Sequence, residues 1–416
     1  MSGGTIRIDD LAKPELTDVQ KAGLAYGESV EVELNVAAVL AAASERTGLS
    51  DFGPSDFEQR LDVWLSEMDA DPERTALGRL NQFEDCVRHA SNRLRIHRLL
   101  AEHPEIHEIE IREPIIVVGL PRSGTTHLVN LIAADGRLRS MPLWEGQEPV
   151  AVGEFADVRE DPRHVRCAGA WNAMQTVVPA VAAMHPMDPD HVHEEIELQL
   201  PDFASYNQEW TSRAPLSRDH YLAHDQRPHY AYMKTVLKIL QWYRPRERWV
   251  LKSPQHLEQL GPLLATFPDA TFAVTHRDPV SVVQSAATML CYAARLGYTR
   301  TRPEWYLEYW TDRVRMLLEA SLRDRHLLPA DRTVDVFFHD FMADDFGTVE
   351  RIYDVAKLPM TAQAAAEIRQ QLAGHQRGRH GRVVYDLRAD FGAEPKAVRD
   401  AFGFYLDRFP VELEVH

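Results

Sequence analysis

The 416-residue sequence has few cysteines, no long apolar run and a deficit of positive charge, and each shortage excludes a class of protein. Its three cysteines lie far apart, which argues against a disulfide framework and against the usual spacings of metal and redox sites. No apolar stretch approaches the roughly 20 residues that a membrane span needs. Residues 1–18 also lack the basic-then-apolar pattern of a secretory leader. These features predict a cytoplasmic protein without a membrane span.

The charge balance limits the choice of partner. The formal net charge is −17, from 46 Lys and Arg against 63 Asp and Glu. Because a phosphate backbone demands a basic surface, nucleic acid is not expected as the main partner. An anionic ligand must therefore be held by a local group of cations. Two basic stretches stand out, residues 244–252 and 369–382.

Periodicity divides the chain into two parts. Residues 17–110 have the pattern of amphipathic helices, including a long one over 74–102, and they predict a helical N-terminal subdomain (1–110). This subdomain packs on the core or forms a homodimer face. From 111 to 416, apolar strands alternate with helices, which predicts an α/β domain with a parallel β-sheet flanked by helices. Strands are expected at 115–119, 248–252, 271–276 and 333–338, and helices at 126–134, 255–266, 279–290 and 345–356.

A long insertion, residues 138–243, interrupts this alternation and has no clear strand pattern. It is rich in Trp, Met, Tyr and His, and we expect it to be mostly helical. Ligands of parallel sheets bind beyond the carboxyl ends of the strands, where insertions shape the pocket of a second substrate. Helical core packing is the alternative for any single aromatic residue.

The most informative feature is residues 115–126, where a β-branched strand runs into a glycine-bounded loop and a helix start. This arrangement brings backbone N–H donors and the positive end of a helix dipole to one place. The spacing of Gly119 and Gly124 fits the P-loop of nucleotide-phosphate sites, but Thr125 stands where that loop has lysine. The cation of this loop is Arg122 instead. The pattern predicts a phosphate site that is not built for ATP hydrolysis.

A second motif, His-Arg-Asp-Pro, follows the predicted strand 271–276. Asp278 and Pro279 favour a helix start. Ser285 then lies two turns into that helix, eight residues after Arg277. An arginine fork and a serine hydroxyl together suit a second phosphate. An Arg-Asp-Pro turn alone is mostly structural. It indicates a phosphate site here because it occurs together with the first loop.

These motifs, strand-PRSGTT-helix, LKSP…FPDA and HRDP with its later serine, resemble the sulfotransferase superfamily, most closely its large bacterial branch. Similar motifs occur in tyrosylprotein sulfotransferases. The resemblance covers roughly residues 110–390 and implies a P-loop-type fold. It also implies an enzyme that moves a sulfuryl group in line from 3′-phosphoadenosine 5′-phosphosulfate (PAPS) to a hydroxyl. The product is adenosine 3′,5′-bisphosphate (PAP), and no metal is required.

The resemblance also assigns residues to the donor site. Its loop for the 5′-phosphosulfate would consist of Pro121, Arg122, Ser123, Gly124, Thr125 and Thr126. Arg277 and Ser285 would hold the 3′-phosphate. Phe338 would lie near the adenine, with ordinary strand core as an equal alternative. A basic glycine loop over the 3′-phosphate would contribute one or more of Arg377, Arg379 and Arg382.

The same resemblance nominates catalytic residues. Lys252 matches the family lysine that contacts the transferred group, and Arg122 would stabilise the bridging oxygen electrostatically. Sulfuryl transfer depends on in-line positioning and on cations at the oxygens. The acceptor hydroxyl also needs a general base. Glu145 stands where tyrosylprotein sulfotransferases have a glutamate, and His256 loosely matches the histidine of the cytosolic branch. Further alternatives in the insertion are His185, His191 and His193.

The acceptor and two other functions stay open at this point. The aromatic and Met-rich insertion indicates an apolar or aromatic hydroxyl compound, such as a lipid, sterol or phenol. A P-loop kinase or NTPase is disfavoured by the missing loop lysine and by the lack of a clear Walker-B aspartate. A non-catalytic nucleotide-binding protein is the third interpretation. Residues 191–195 carry ligand-type side chains without metal spacing, so they are interpreted as a solvated or acceptor-side loop.

Overall fold

A parallel β-sheet of five strands forms the centre of the computed structural model, which describes residues 4–374 and 381–416. The strands of this part of the chain are β1 (Thr5–Arg7), β2 (Ile115–Gly119), β3 (Leu138–Arg139), β4 (Arg248–Ser253), β5 (Thr271–His276), β6 (Thr333–Phe337) and β7 (Arg382–Val384). The central sheet has the order β3-β4-β2-β5-β6, and all its neighbours are parallel. A separate parallel pair joins β1 to β7.

Helices surround this sheet in three groups along the chain. The first group is α1 (Asp18–Glu28), α2 (Val36–Thr47), α3 (Phe57–Ala70) and α4 (Ala76–Glu102). The second group lies between β2 and β4 and is α5 (Thr125–Ala133), α6 (Leu143–Gln147), α7 (Pro162–Val177), α8 (Pro179–Met184), α9 (Gln208–Thr211), α10 (Pro215–Ala223) and α11 (Arg227–Tyr243). The third group is α12 (Leu260–Thr266), α13 (Pro279–Gly297), α14 (Pro303–Asp324), α15 (Phe338–Ala343), α16 (Asp345–Val355), α17 (Ala362–Gly374), α18 (Leu387–Phe391), α19 (Pro395–Arg399) and α20 (Gly403–Leu406).

Short 3₁₀ turns connect several of these elements. They are Pro104–Glu108, Val158–Glu160, Glu195–Asp202, Pro254–Glu258, Arg325–Leu327, Ala330–Arg332 and Asp400–Phe402. The turns Glu195–Asp202 and Pro254–Glu258 have mostly buried residues. They carry polar side chains into the region beyond the end of β4.

The central strand β2 is covered on both faces, which explains its run of β-branched residues. Ile116 and Val118 pack into the larger core, which includes residues of α11, α12, α13 and α14. Ile115 and Val117 pack into a second core on the opposite face, with residues of α5, α16 and α17. Because helices cover both faces of the sheet, a ligand reaches β2 at the carboxyl end of the strand.

The N-terminal helices bury a third core against the insertion. Phe57, Leu61 and Trp64 of α3 pack there with residues of α4, and Phe203 and Ala214 of the insertion complete the cluster. Helix α4 begins after Thr75, whose side-chain oxygen accepts from the N–H of Gly78 at 2.9 Å. This packing brings α4 against the insertion.

The predicted α/β fold with a parallel sheet flanked by helices is confirmed. The expected strands agree with the structure to within one residue at each end. Three differences are notable: β3 at the start of the insertion, the extension of α13 to Gly297, and the break of the expected helix 255–266. The break occurs because Ser253 accepts the N–H of Gln255 and starts a buried 3₁₀ turn, whose polar side chains bond inward. A two-residue strand such as β3 is too short to produce a sequence period.

No helix within residues 4–374 and 381–416 combines the length and the apolar character required to cross a bilayer.

A buried arginine joins the insertion to the turn that follows β4. Its removal is expected to cause a large loss of stability. Arg313 of α14 is fully buried and binds the carboxylates of Glu209 and Glu258 at 2.6–3.0 Å. We expect Arg313→Met to lower the free energy of unfolding by about 3–5 kcal/mol, because two buried carboxylates lose their counter-charge. Urea denaturation measures this loss.

The matched control is Arg315→Met on the same helix. Arg315 pairs with Asp312 and Glu319 at the surface, so its removal should cost less than about 1 kcal/mol. Equal losses for the two variants would contradict the bridging role of Arg313.

Candidate active site

The loop between β2 and α5 forms an anion-binding turn at the carboxyl end of the sheet. A Cβ atom at Gly119 would lie 1.8 Å from the Thr275 hydroxyl oxygen, so the end of β2 requires glycine. Gly124 has a φ of 86° and no side chain caps the helix that follows it. The N–H groups of the first turn of α5, which begins at Thr125, therefore have no partner within the helix. They are available to an anion, as the sequence predicts.

The loop side chains divide into two roles. The Ser123 hydroxyl is buried and bonds the Leu120 carbonyl at 2.6 Å and the Thr275 hydroxyl at 2.7 Å, which ties the loop to β5. Ser123 does not line the cavity, because its hydroxyl bonds within the protein, and its expected place in the phosphosulfate loop stays a prediction. The loop residues that line the cavity are Pro121, Arg122, Gly124, Thr125 and Thr126.

Lys252 reaches the loop from the neighbouring strand β4. It is 1% exposed, and its Nζ lies 3.3 Å from the Thr126 hydroxyl oxygen. The same ammonium forms a close ion pair with the Glu194 carboxylate. The backbone N–H of Lys252 donates to the Glu195 carboxylate at 2.7 Å. The insertion therefore supplies the counter-charge for a lysine buried beside the loop.

Arg277 lies across the mouth of the loop, as the second motif predicts. Its Nη1 donates to the backbone carbonyl of Arg122, and its Cζ lies 3.9 Å from the centre of the Phe338 ring. Its Nε and Nη2 each donate to the carboxylate of Glu414 at 2.6 Å. The guanidinium is thus held by a ring on its face and by acceptors on its edges.

Ser285, expected beside Arg277, bonds Arg122 and does not line the cavity. Its hydroxyl oxygen accepts from Arg122 Nε at 3.0 Å and lies 3.0 Å from the Tyr385 hydroxyl oxygen. Arg122 Nη1 also donates to the Met184 carbonyl at 2.7 Å. Arg122 and Arg277 are therefore neighbours, although 155 residues separate them.

A single cavity of about 1060 Å³ contains the loop and extends into the insertion. Arg277 and Phe338 line the end of the cavity that contains the loop residues. Apolar side chains from the insertion and from α13 line much of the rest, among them Trp171, Met174, Met187, Met289 and Leu290. The insertion therefore lines a part of the cavity that is continuous with the loop.

Three histidines of the insertion stand in this wall. The ring centres of His185, His191 and His193 lie 5.9–6.3 Å apart. Burial lowers the pKa of His185 well below its usual value, and the neighbouring His193, His191, Arg122 and Lys252 lower it further. His185 is therefore a neutral imidazole close to Arg122 of the loop and to Lys252 of β4.

The structure places the two favoured base candidates away from the cavity. The Glu145 carboxylate accepts from Arg139 Nη2 at 2.8 Å and from Arg244 Nη2 at 3.2 Å. His256 is fully buried, with its Nε2 at 2.6 Å from a Glu195 oxygen and its Nδ1 at 2.8 Å from the Tyr230 hydroxyl. Neither side chain lines the cavity, because each is drawn into an internal network.

The predicted basic loop near the C-terminus is described only in part. Arg377 and Arg379 lie outside the described residues. Arg382 begins β7, where its backbone N–H donates to the Gly4 carbonyl at 3.2 Å, and its side chain is exposed rather than part of the cavity wall. Its expected contact with a phosphate stays a prediction.

Sequence reasoning missed the two carboxylates that pair with the site's cations. Glu194 is 58 residues from Lys252, and Glu414 is 137 residues from Arg277. No local pattern marks such pairs, because they depend on which elements meet in space. The doubled glutamate at 194–195 was the available signal, since both of these residues contact Lys252. Within the expected loop at 191–195, His191, Val192, His193 and Glu194 line the cavity.

The side chains in the described ranges include no cluster of three or more His, Cys, Asp or Glu with an arrangement suited to a metal ion.

Comparison with known proteins identifies the family. The fold and the site define an α/β protein whose anion-binding loop lies beyond the carboxyl ends of its strands. A model described as "Sulfotransferase family" matches residues 114–362, more than half of the chain. The chain therefore belongs to the sulfotransferase family and is an enzyme of that class. No curated protein matches it.

Two solved structures resemble the whole molecule. Sulfotransferase STF9 from Mycobacterium avium is 26% identical and has a TM-score of 0.82, covering 93% of this chain and 100% of its own. Sulfotransferase STF1 from Mycobacterium tuberculosis H37Rv is also 26% identical, with a TM-score of 0.77 over 88% of this chain and 97% of its own. The similarity therefore includes the N-terminal helices and the insertion as well as the sheet.

Proposed function

We propose that this enzyme transfers the sulfuryl group of PAPS to the hydroxyl of an apolar acceptor and releases PAP. One observation carries the proposal: a single cavity has the start of α5, Arg122 and Arg277 at one end and many apolar side chains along the rest of its wall. The first anion site is the start of α5, where Lys252 Nζ lies 3.3 Å from the Thr126 hydroxyl without lining the cavity, and the second is the guanidinium of Arg277, which bonds the Arg122 carbonyl. Two such sites suit a nucleotide with anionic groups on both its 5′ and 3′ oxygens.

The residues of the first site suit the leaving and transferred groups. The N–H groups at the start of α5 would bind the 5′-phosphate, and Lys252 would bind an oxygen of the transferred sulfuryl group. Arg122 would stabilise the bridging oxygen as the sulfur–oxygen bond breaks and its electron pair stays with the phosphate. A permanently charged guanidinium suits that electrostatic role.

The apolar compartment favours a bulky, weakly polar acceptor. Its Trp, Met and Leu side chains offer dispersion contacts, and polar side chains such as Asp85, Arg88 and Glu197 line the same cavity. A lipid, sterol or phenol that points its hydroxyl at the loop fits this wall. The acceptor oxygen then attacks sulfur in line, and its proton passes to a general base.

His185 is the base that the geometry supports best. It lines the cavity and follows Met184, whose carbonyl binds Arg122, so its position is tied to the loop. Its lowered pKa keeps the imidazole neutral and able to accept a proton. The negative charge of a bound donor would raise that pKa toward neutrality. The Glu194 carboxylate also lies beside Lys252 and is an alternative base, but its charge is paired with the ammonium.

Nucleotide binding tests the proposed donor. We expect PAP to bind without Mg²⁺ in calorimetry and ATP with Mg²⁺ to bind much more weakly, because only PAP engages both anion sites. Arg277→Ala should weaken PAP binding by about tenfold or more, since a charge-assisted fork is lost. Magnesium-dependent binding of ATP without binding of PAP would favour a kinase or NTPase instead.

Lys252 should act on turnover more than on binding. We expect Lys252→Ala to lower kcat by about 10²–10³-fold and to change the Kd of PAP little, because PAP lacks the transferred group. A labelled-PAPS assay with a panel of fatty alcohols, sterols and phenols measures turnover. The control is Lys238→Ala on α11, where the ammonium binds the His107 carbonyl away from the cavity and activity should be retained. Full turnover by the Lys252 variant would contradict its role.

The acidity of the acceptor tests His185. We expect His185→Ala to lower kcat by about 10²–10⁴-fold for an aliphatic alcohol, because its hydroxyl must lose a proton during attack. A phenol acidic enough to be ionised in the assay should lose far less. Added imidazole should restore activity to the alanine variant but not to His185→Gln, which leaves no space. An equal loss of kcat for both acceptors would contradict the role as a base and indicate that His185 acts through packing. The Kd of PAP is the control, because it shows whether the donor site of the variant is intact.

A further inference from the structure

The segment after α20 places a carboxylate on the cation of the second anion site. Glu414 binds Arg277 through two hydrogen bonds of 2.6 Å, to Nε and to Nη2. The remaining terminal nitrogen, Nη1, bonds the Arg122 carbonyl, and Phe338 lies against the guanidinium face. All three nitrogens of Arg277 therefore have acceptors within the protein. An anion that needs the Nε–Nη2 fork must meet Glu414 there.

The backbone around Glu414 is anchored independently of its side chain. The N–H groups of Glu414 and Val415 donate to the buried carboxylate of Asp278 at 2.8 and 3.3 Å. The other Asp278 oxygen accepts from the N–H of Val280 at the start of α13. The Val415 carbonyl accepts from Arg399. The Glu414 side chain can therefore leave Arg277 while the segment itself stays attached.

The contact between Glu414 and Arg277 resembles the contact that an arginine makes with a phosphate group. A planar carboxylate on an arginine fork offers two oxygens in the same positions that two phosphate oxygens use. A phosphate dianion carries more charge than one carboxylate and competes well for the same fork. The Glu414 side chain keeps 29% of its surface exposed, so water can solvate it when it leaves.

We propose that Glu414 is an internal competitor for the 3′-phosphate: the phosphate displaces its carboxylate from Arg277 on donor binding, and the carboxylate returns as PAP leaves. This rests on the proposed function, in which Arg277 binds the 3′-phosphate. The exchange keeps Arg277 neutralised in the empty enzyme. It also weakens the retention of PAP, because the returning carboxylate replaces the contacts that the product loses.

Removal of the carboxylate charge should strengthen PAP binding selectively. We expect Glu414→Gln to lower the Kd of PAP by about fivefold or more, the lower end of ordinary coupling between two ligands of one site. The Kd of AMP, which lacks the 3′-phosphate, should stay the same. Calorimetry with both nucleotides measures the difference, and stopped-flow release of PAP should be slower by a similar factor.

Glu412→Gln is the matched control. Glu412 is an exposed carboxylate two residues earlier, so the substitution removes the same charge without opening the fork. It should leave the Kd of both nucleotides unchanged. Thermal unfolding of the Glu414 variant confirms that the near-isosteric change preserves the fold.

The outcomes separate this inference from the proposed function. Binding of PAP by the wild-type protein with equal or weaker binding by Glu414→Gln would overturn the competition and make Glu414 a residue that positions Arg277. Equal strengthening of PAP and AMP would also overturn it, since the gain would then be general electrostatics. Failure of the wild-type protein to bind PAP would contradict the donor assignment itself.

Discussion

The site depends on the pairing of β2 with β4 on one side and with β5 on the other. This register sets Val117 beside Lys252 and Gly119 beside Thr275. Because parallel strands end at the same edge of a sheet, the loop after β2, the lysine of β4 and the arginine after β5 converge there. The close approach of β5 also explains the glycine at the end of β2, where no other residue leaves room for the Thr275 hydroxyl. Every later feature of the site is built on this edge.

A second constraint is electrostatic. The chain is strongly acidic, and two of its site cations lie beside carboxylates of the same chain: Lys252 with Glu194, and Arg277 with Glu414. A buried charge without a partner is costly, so these internal pairs stabilise the empty site. In the proposed function, ligand binding at these cations exchanges one anion for another. The affinity for a donor reflects the difference between two ion pairs, which favours reversible binding.

Local patterns were enough to predict the sheet, the glycine loop and the cations. The β-branched run of β2 and the glycine spacing after it are encoded within about a dozen residues, and so is the turn that carries Arg277. The candidates for the general base show what local patterns cannot predict, which is whether a side chain faces the cavity. Glu145 and His256 occupy suitable positions along the chain, but Arg139 and Tyr230 draw them into internal networks. The His185 side chain, 67 residues before Lys252, reaches the cavity instead.

The sequence by itself determined the class of fold, the anion-binding loop and the residues that carry positive charge to it. These depend on short-range order: a strand period, a helix start and a glycine that no other residue replaces. Only the tertiary structure decided which carboxylate pairs with which cation, which histidines line the cavity and how much of its wall the insertion forms. Those choices depend on contacts between residues up to 137 positions apart, whose side chains are brought together only when helices pack on the finished sheet.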